Sequence, residues 1–418
     1  MERRGFVFSL LTALFVLAAL TAFAGGQKDG GPATIKFLQM EYDNGVVPFM
    51  QEVAAKFHTE NPDINVQIVS LGWDKGHETL LTWIKGKQVP DVGNTAQRWV
   101  AEWDSLGALE VLDPYISADT LKKIPAHYLA TGLYQNKKFG LPYFMDHRLI
   151  YYRPDLFKKA GLPTPSKQWN WDDFKNAAIK TTDKGGSVYG FVMGVGDPYF
   201  FNIYTSFLWS AGGDYWDKSG KITINSGEAL ESLTYLDDLV NKYQATQPGL
   251  TATSEFENDQ IFMAGNAAMI YTGPWVWGMI DTENPSLPYA LINLPIKKKL
   301  ASIAAPDLVV MFKESKNKKA AGKFLEFQYR DDIRKGFVKG RGCIPDTFAL
   351  INDPDLANPN WDAFQAVAPF AVPQPVTLTT SRLMEEVMKM GQASFLDKKT
   401  PKQAIEDLAE VMKTLEKP

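Results

Sequence analysis

Cysteine and histidine are scarce in this sequence, which has one cysteine and four histidines among its 418 residues. The lone Cys343 cannot form a disulfide within the chain, and the histidines lack the spacing of metal ligands. Three catalytic signatures are missing as well: a glycine-rich phosphate loop with its lysine, an HExxH motif and a Gly-x-Ser-x-Gly elbow. We therefore expect neither a metal nor a cofactor, and look for function among carboxylates, amides and aromatic side chains.

An excess of basic charge is also missing. The chain has 44 lysines and arginines against 48 aspartates and glutamates, a formal net charge of −4. This balance gives no electrostatic reason to expect nucleic acid or an anionic membrane as a partner. With 45% hydrophobic and 22% charged residues, the chain has a globular composition and is long enough for two domains.

The first 24 residues have the pattern of an export signal. Arg3 and Arg4 precede an almost unbroken apolar run at 6–23, and the small residues of 22–24 suit cleavage by a leader peptidase. The run nearly reaches the length of a membrane span, but the polar, glycine-rich stretch that follows favours a cleaved leader. No cysteine lies near the cleavage site to carry a lipid anchor. We predict a periplasmic protein.

Beyond residue 33, apolar strands alternate with amphipathic helices. Residues 34–40 and 64–73 have the pattern of strands, and a helical apolar spacing lies between them and ends at Asn61. An apolar strand at 148–152 precedes another helix. Such alternation with short connections predicts a parallel α/β sheet, in which ligands bind at the carboxyl ends of the strands.

Five blocks, in order, resemble the extracellular solute-binding proteins that deliver sugars to ATP-driven importers, the family of maltose-binding protein. These blocks are GKQVPDVGNTAQRW and its continuation (86–116), GLPYFMDHRLIYYRPDLF and its continuation (140–174), FMAGNAAMIYTGPW (262–275), KNKKAAGKFLEFQYRDDIRKGF (316–337) and GRGCIPD (340–346). The resemblance extends from about residue 34 to the C-terminus.

The resemblance implies an α/β fold of two lobes, with a ligand cleft between lobes that are joined by hinge strands. The implied first lobe comprises 33–143 and 293–338, the second comprises 147–289 and 345–418, and the hinge lies near 144–146, 290–292 and 339–344. The protein would be a monomer that binds a sugar, passes it to the permease subunits of an ABC transporter and catalyses no reaction.

The block around GPW supplies the first expected ligand contact. The resemblance places Trp275 in the cleft, where its indole would cover the apolar face of a pyranose ring. Gly273 and Pro274 are expected to end the preceding strand through an unusual turn. We expect three other tryptophans to pack inside the protein: Trp73, Trp209 and Trp277.

Polar side chains are expected to bind the sugar hydroxyls, each of which both donates and accepts hydrogen bonds. Asp146 lies where the family often places an acid at the crossover between lobes. Glu41 ends the first strand, with Asp43 as a weaker choice. In GDPYFF, Asp197 resembles an acceptor in the family and Tyr199 a second stacking ring.

Further contacts are expected just after the third strand. Thr95 and Arg98 stand where family members touch sugar, and Gln97 lies between them. The family's aromatic and acidic residues are replaced there by threonine and arginine, which disfavours a maltodextrin ligand. Arg341 would either reach the ligand or form a salt bridge at the hinge.

Two other functions remain open. Acids together with aromatic rings also suit an ammonium group, so the ligand could be a polyamine or another small cation. Asp146 and Asp197 could also be the paired carboxylates of a secreted glycosidase, although no signature assigns them an acid and a nucleophile role.

Overall fold

A computed structural model describes residues 32–41 and 43–417 of the chain. The predicted leader, residues 1–24, and its cleavage lie outside the described residues. The strands are β1 (Ala33–Glu41), β2 (Ile64–Gly72), β3 (Val92–Ala96), β4 (Leu133–Tyr134), β5 (Lys137–Lys138), β6 (Gly140–Phe144), β7 (Leu149–Tyr152), β8 (Met269–Thr272), β9 (Ala290–Ile292), β10 (Ser302–Ala304), β11 (Asp307–Met311) and β12 (Ala371–Pro373).

The helices are α1 (Val46–Glu60), α2 (Gly76–Lys85), α3 (Val100–Ser105), α4 (Ala118–Lys122), α5 (Ala126–Leu129), α6 (Pro154–Lys159), α7 (Trp171–Thr181), α8 (Phe200–Ser210), α9 (Gly227–Asp237), α10 (Glu255–Met263), α11 (Trp275–Glu283), α12 (Lys318–Gln328), α13 (Asp331–Arg341), α14 (Phe348–Ile351), α15 (Pro359–Val367), α16 (Thr380–Phe395) and α17 (Pro401–Met412). None of these described helices is both long and apolar enough to cross a bilayer.

The first lobe is built on a sheet of five strands in the order β2-β1-β3-β11-β6. Strand β1 pairs in parallel with β2 and with β3, as the alternating pattern predicts. Strand β11 runs antiparallel to both of its neighbours, β3 and β6. The sheet is therefore mixed rather than wholly parallel, because β11 enters it from the other lobe and not through a crossover helix on this one.

The sequence of β1 is an apolar run because both faces of this strand are buried. Ile35 and Phe37 are fully buried in one core cluster, and Leu38 and Met40 in another on the opposite face. Helix α1 packs its apolar stripe into the first of these clusters. Each fully buried side chain of this size contributes about 1.5–3 kcal/mol, so β1 anchors the lobe.

The second lobe contains the antiparallel sheet β8-β7-β9. Helices α7, α8, α9, α16 and α17 supply most of its apolar core, and every residue of α8 is buried. Residues 145–148 connect β6 of the first sheet to β7 of the second. The chain returns from the second sheet to the first between β9 and β11. The predicted two-lobed α/β fold is confirmed.

Residues 293–304 lie against the second lobe and not the first, where the resemblance placed them. The Ile296 N–H donates to the Trp169 carbonyl at 2.9 Å, and the Lys298 N–H donates to the Ser210 carbonyl at 2.8 Å. Strand β10 then pairs in parallel with β12. The chain rejoins the first sheet only at Asp307, because these backbone groups find their partners in the second lobe.

Candidate functional site

A cavity of about 570 Å³ opens between the two lobes. Its volume lies within the range of about 300–1,000 Å³ that is usual for small-molecule sites. The wall includes residues of the first lobe, of the crossover and of the second lobe: Glu41, Asp43, Trp73, Asp74, Arg98, Phe144, Asp146, Arg148, Asp197, Tyr199, Glu255, Phe256, Asp259, Trp275 and Asp307.

The first-lobe residues follow the carboxyl ends of neighbouring parallel strands. Glu41 ends β1, Trp73 comes directly after β2, and Arg98 lies in a single 3₁₀ turn directly after β3. Parallel strands end at the same edge of a sheet, so these side chains meet at one side of the cavity.

Asp197 joins two second-lobe segments at the opposite side. Its Oδ1 accepts the N–H of Tyr199 at 2.9 Å, just before α8, and its Oδ2 accepts the N–H of Glu255 at 2.7 Å, the first residue of α10. Ser254 caps α10 in a reciprocal capping box with Glu257. The first turn of α10 is thereby held against the cavity.

Trp275 lines the cavity at the start of α11. Its indole Nε1 donates to Oδ2 of Asp259 at 2.8 Å, and the Arg148 guanidinium lies 4.5 Å from the ring centroid. A Cβ on Gly273 would lie 1.9 Å from Cζ3 of this indole. Glycine is required because the ring lies against its Cα. The unusual turn that we expected does not form, because the φ angle of Gly273 is not positive.

Arg148 connects the crossover to α10 through two carboxylates. Its Nε donates to Oδ2 of Asp146 at 3.0 Å, and its Nη1 donates to Oε1 of Glu255. Oδ1 of Asp146 is buried and has no hydrogen-bond partner within residues 32–41 and 43–417. An unpaired buried acceptor is costly, so Asp146 is an incompletely satisfied group on the cavity wall.

Three carboxyl groups of this wall have raised pKa values. Burial raises the pKa of Asp146 and of Asp197 to about 7, and that of Asp259 to about 8. Burial is the largest cause of each shift, charge repulsion from Glu255 contributes to all three, and Arg148 partly offsets them. Near neutral pH these groups therefore respond to any charge that enters the cavity.

A hydrogen-bonded chain spans the cleft. Nη2 of Arg98 donates to the Tyr199 hydroxyl at 3.1 Å, and Nη1 donates to Oε1 of Gln374 at 3.2 Å. Nε2 of Gln374 in turn donates to Oδ1 of Asn202 at 2.7 Å. Arg98 of the first lobe is thus tied to α8 of the second.

Six of the predicted ligand-binding residues lie on the cavity wall: Glu41, Arg98, Asp146, Asp197, Tyr199 and Trp275. The other three are not brought to it. Thr95 is buried in β3, one residue before the strand ends, opposite Leu308, and Gln97 donates from Nε2 to the Thr131 carbonyl at 2.8 Å. Arg341 forms an ion pair with Asp43, which does line the cavity.

The other tryptophans divide between core and cavity. Trp277 is buried and donates to the Gly342 carbonyl at 2.9 Å, and Trp209 is buried and donates to Asp214 at 3.0 Å. Both pack as predicted. Trp73 packs on Trp99, with ring centroids 5.7 Å apart, but it also lines the cavity, which we did not expect.

Sequence reasoning missed Arg148 and the two acids of α10, Glu255 and Asp259. The S-E-F-E sequence at 254–257 is a capping-box signal for the start of a helix, and could have located α10. It could not have indicated that this helix start faces the cleft, because that depends on the distant Asp197.

Comparisons with known proteins agree with this geometry. A protein of Brucella abortus (strain 2308), named as a binding protein, is 28% identical over 409 residues and covers 96% of each chain. The arabinooligosaccharide-binding protein of Bacillus subtilis is 26% identical over 329 residues, covering 76% of this chain and 74% of its own. An ABC transporter solute-binding protein of Thermotoga lettingae, solved with α-D-tagatose, superposes with a TM-score of 0.86 at 25% identity, covering 91% of this chain and 99% of its own.

The family profile described as bacterial extracellular solute-binding protein matches residues 43–335, which is more than half of the chain. The matched span includes the second-lobe sheet, every strand of the first-lobe sheet except β1, and every residue named above on the cavity wall except Glu41. With its two lobes and the cavity between them, the chain belongs to the bacterial extracellular solute-binding protein family.

Proposed function

We propose that this protein captures a sugar, either a mono- or an oligosaccharide, between its lobes and delivers it to the permease subunits of an ABC importer. The observation that carries this proposal is that the indole of Trp275 and the carboxyl groups of Asp146 and Asp259 line one inter-lobe cavity. A pyranose has an apolar C–H face and a rim of hydroxyls, so it needs both kinds of surface at once.

The relatives support a carbohydrate over other solutes. The similar protein of Bacillus subtilis is named for arabinooligosaccharides, and the similar structure from Thermotoga lettingae holds α-D-tagatose. These ligands differ in size and linkage, so they favour the carbohydrate class without selecting one sugar for this chain.

The wall can supply enough binding energy without catalysis. A micromolar dissociation constant corresponds to about −8 kcal/mol. Burial of roughly 150 Å² of apolar surface on aromatic rings contributes about 4 kcal/mol at about 25 cal/mol per Å². Hydrogen bonds to charged groups add about 1.5–3 kcal/mol each, which offsets the ordering costs of binding.

Closure of the lobes would follow from contacts on both sides of the cavity. A ligand that touches Arg98 in the first lobe and Trp275 in the second binds the closed arrangement better than an open one. That difference in affinity shifts the population toward closure. The closed form is the one that we expect a permease to recognise.

The cellular setting of the proposal is extracytoplasmic. The family is described as extracellular, which agrees with the predicted leader. We propose a periplasmic monomer released by cleavage of that leader.

The arrangement of Asp146 and Asp197 argues against the glycosidase alternative. Both oxygens of Asp197 accept backbone N–H groups, so Asp146 is the only one of the two with a carboxylate oxygen that lacks a hydrogen-bond partner among the described residues. Most glycosidases need two carboxyl groups that act on the scissile bond, and Asp197 is committed to structural partners. We propose that the bound sugar is released unaltered.

Calorimetric titration tests the proposal on the purified mature chain. The panel contains D-tagatose, arabinose, arabinobiose, maltose and spermidine. We expect micromolar binding of at least one sugar and no increase in reducing ends after prolonged incubation. Heat with spermidine alone would overturn the sugar assignment, and newly formed reducing ends would overturn the non-catalytic one.

A pair of tryptophan variants locates the binding. Trp275→Ala should weaken the sugar that binds best by at least about tenfold, because it removes an apolar ring worth about 1.4 kcal/mol or more. Trp83→Ala changes an indole of α2 that does not line the cavity, and should leave the affinity unchanged. Equal losses in both variants would contradict a site at Trp275.

A further inference from the structure

The cavity wall carries many more carboxyl groups than guanidinium groups. Nine of its 20 lining residues are aspartate or glutamate, and two are arginine. One of the acids, Asp43, is neutralised by Arg341. A neutral sugar needs hydrogen-bond acceptors, but it does not need this surplus of carboxyl groups over guanidinium groups.

The surplus is densest around Arg148. The carboxyl groups that interact with this guanidinium are those of Asp146, Asp197, Glu255 and Asp259. Asp259 lies one helical turn after Glu255, and Asp197 accepts the Glu255 N–H at 2.7 Å. Even with Arg98 counted, this group holds two more carboxyls than guanidiniums.

Asp146 provides a second and independent observation, an oxygen that lacks a hydrogen-bond donor. It lines the cavity with 5% of its surface exposed, and Arg148 occupies only Oδ2. Oδ1 has no hydrogen-bond partner among the described residues. A buried carboxylate oxygen without a donor is unfavourable, and a ligand that brought a charged donor would relieve it.

We propose that the captured sugar carries a protonated amine, as an amino sugar or an amine-bearing cyclitol does, and that Asp146 accepts a hydrogen bond from its ammonium group. This inference rests on the proposed function. An ammonium supplies three N–H donors and a positive charge, whereas a sugar hydroxyl supplies one donor and no charge. The ammonium therefore supplies a donor to the unpaired oxygen and a positive charge that favours ionisation of the surplus carboxyl groups.

Two further features of the wall agree with such a ligand. The raised pKa values of Asp146, Asp197 and Asp259 follow from burial and from repulsion by Glu255, and a nearby ammonium would favour their ionised forms. The Trp275 ring already holds a cation, the Arg148 guanidinium, 4.5 Å from its centroid. Aromatic faces in this cavity are thus compatible with positive charge next to a sugar ring.

The test compares matched sugars by calorimetric titration at pH 7. Each set contains a neutral hexose, its 2-amino-2-deoxy form and the N-acetyl form of that amine, for glucose, galactose and mannose. We expect one amine to bind at least tenfold more tightly than both its neutral parent and its N-acetyl form. Asp146→Asn should reduce this preference below threefold, because it should weaken binding of the amine more than binding of the neutral parent.

The remaining outcomes separate the two proposals. Two results would overturn the proposal of a protonated amine without contradicting sugar binding. They are tighter binding of a neutral parent, and equal binding of the amine and the N-acetyl form. Binding of none of these sugars, with heat from spermidine, overturns both. Asp74→Asn removes another carboxyl of the wall and should keep the preference for the amine. If that variant loses the preference as fully as Asp146→Asn does, Asp146 is not the acceptor.

Discussion

The guanidinium of Arg98 donates a hydrogen bond to the hydroxyl of Tyr199 across the cleft, over 3.1 Å. Arg98 follows β3 in the first lobe, and Tyr199 precedes α8 in the second. The guanidinium also lies 5.2 Å from the centroid of the Tyr199 ring. The two lobes are therefore joined through protein atoms at the cavity wall, and the strength of this contact sets part of the free energy of closure.

Tyr199→Phe should weaken binding of the best sugar ligand by about fivefold or more. The variant keeps the ring but loses a hydrogen bond to a charged group, whose worth is about 1.5–3 kcal/mol before solvent compensation. Calorimetric titration measures the change. Tyr134→Phe, which removes a hydroxyl outside the cavity wall, serves as the control. An affinity equal to that of the wild type would show that the Arg98 contact does not contribute to closure.

Gly273→Ala should impair ligand binding about as much as loss of the indole itself. Its Cβ would lie 1.9 Å from Cζ3 of Trp275, so the ring must leave its bond to Asp259. We expect at least a tenfold rise in the dissociation constant, with tryptophan fluorescence reporting the displaced ring. Gly340→Ala is the matched control, because a Cβ there meets nothing within 4 Å, and it should slightly raise the melting temperature. Normal affinity in Gly273→Ala would contradict this positioning of Trp275.

Much of the fold could be predicted because its signals are local. The apolar run of β1 and the helical spacing of α1 each follow from the period of the side chains, and both elements form where expected. The antiparallel course of β11 and the placement of residues 293–304 could not be predicted. They depend on which distant backbone groups, such as those of Trp169 and Ser210, are available for hydrogen bonding.

The candidate site divides in the same way. Arg98 and Glu41 could be located because the family resemblance points to them, and both follow strands whose ends converge at one edge of the sheet. Thr95 could not be excluded from sequence, since only the pleat of β3 decides that its side chain is buried. Arg148 was missed because its role comes from Asp146, two residues earlier, together with Glu255, which lies more than 100 residues away in the chain.

Stability should depend on pH through Asp146. Its pKa in the folded protein is about 7, above the ordinary value of 3.8, so the folded state binds its proton more tightly than the unfolded chain does. That contribution is fully present below pH 4 and is lost as the pH rises through 7. The free energy of unfolding of Asp146→Asn, relative to the wild type, should therefore increase between pH 4 and pH 8. At about 1.4 kcal/mol per pKa unit, the increase is about 4 kcal/mol at most.

An exposed aspartate gives a control of the opposite sign. The Ser187 hydroxyl and neighbouring backbone N–H groups lower the pKa of Asp183, so its contribution is present above its unfolded pKa and is lost as the pH falls. The stability of Asp183→Asn relative to the wild type should thus decrease slightly with rising pH. Urea titrations at four or five pH values would measure both slopes. If the difference in the free energy of unfolding between Asp146→Asn and the wild type does not change with pH, the raised pKa of Asp146 is refuted.

Asp346→Ala should destabilise the protein by about 3–5 kcal/mol, since it would leave the buried guanidinium of Arg334 without its carboxylate. Arg334 donates to both Asp346 oxygens and to the Tyr143 carbonyl, so this pair fixes α13 and the following segment against β6. Asp332→Ala breaks an exposed ion pair with Lys56 and should cost less than about 1 kcal/mol. Chemical denaturation measures both losses. Similar losses of stability in the two variants would contradict this prediction. The Arg334 guanidinium of Asp346→Ala would then have gained water or another partner, and the segment after α13 would be held by its apolar contacts alone.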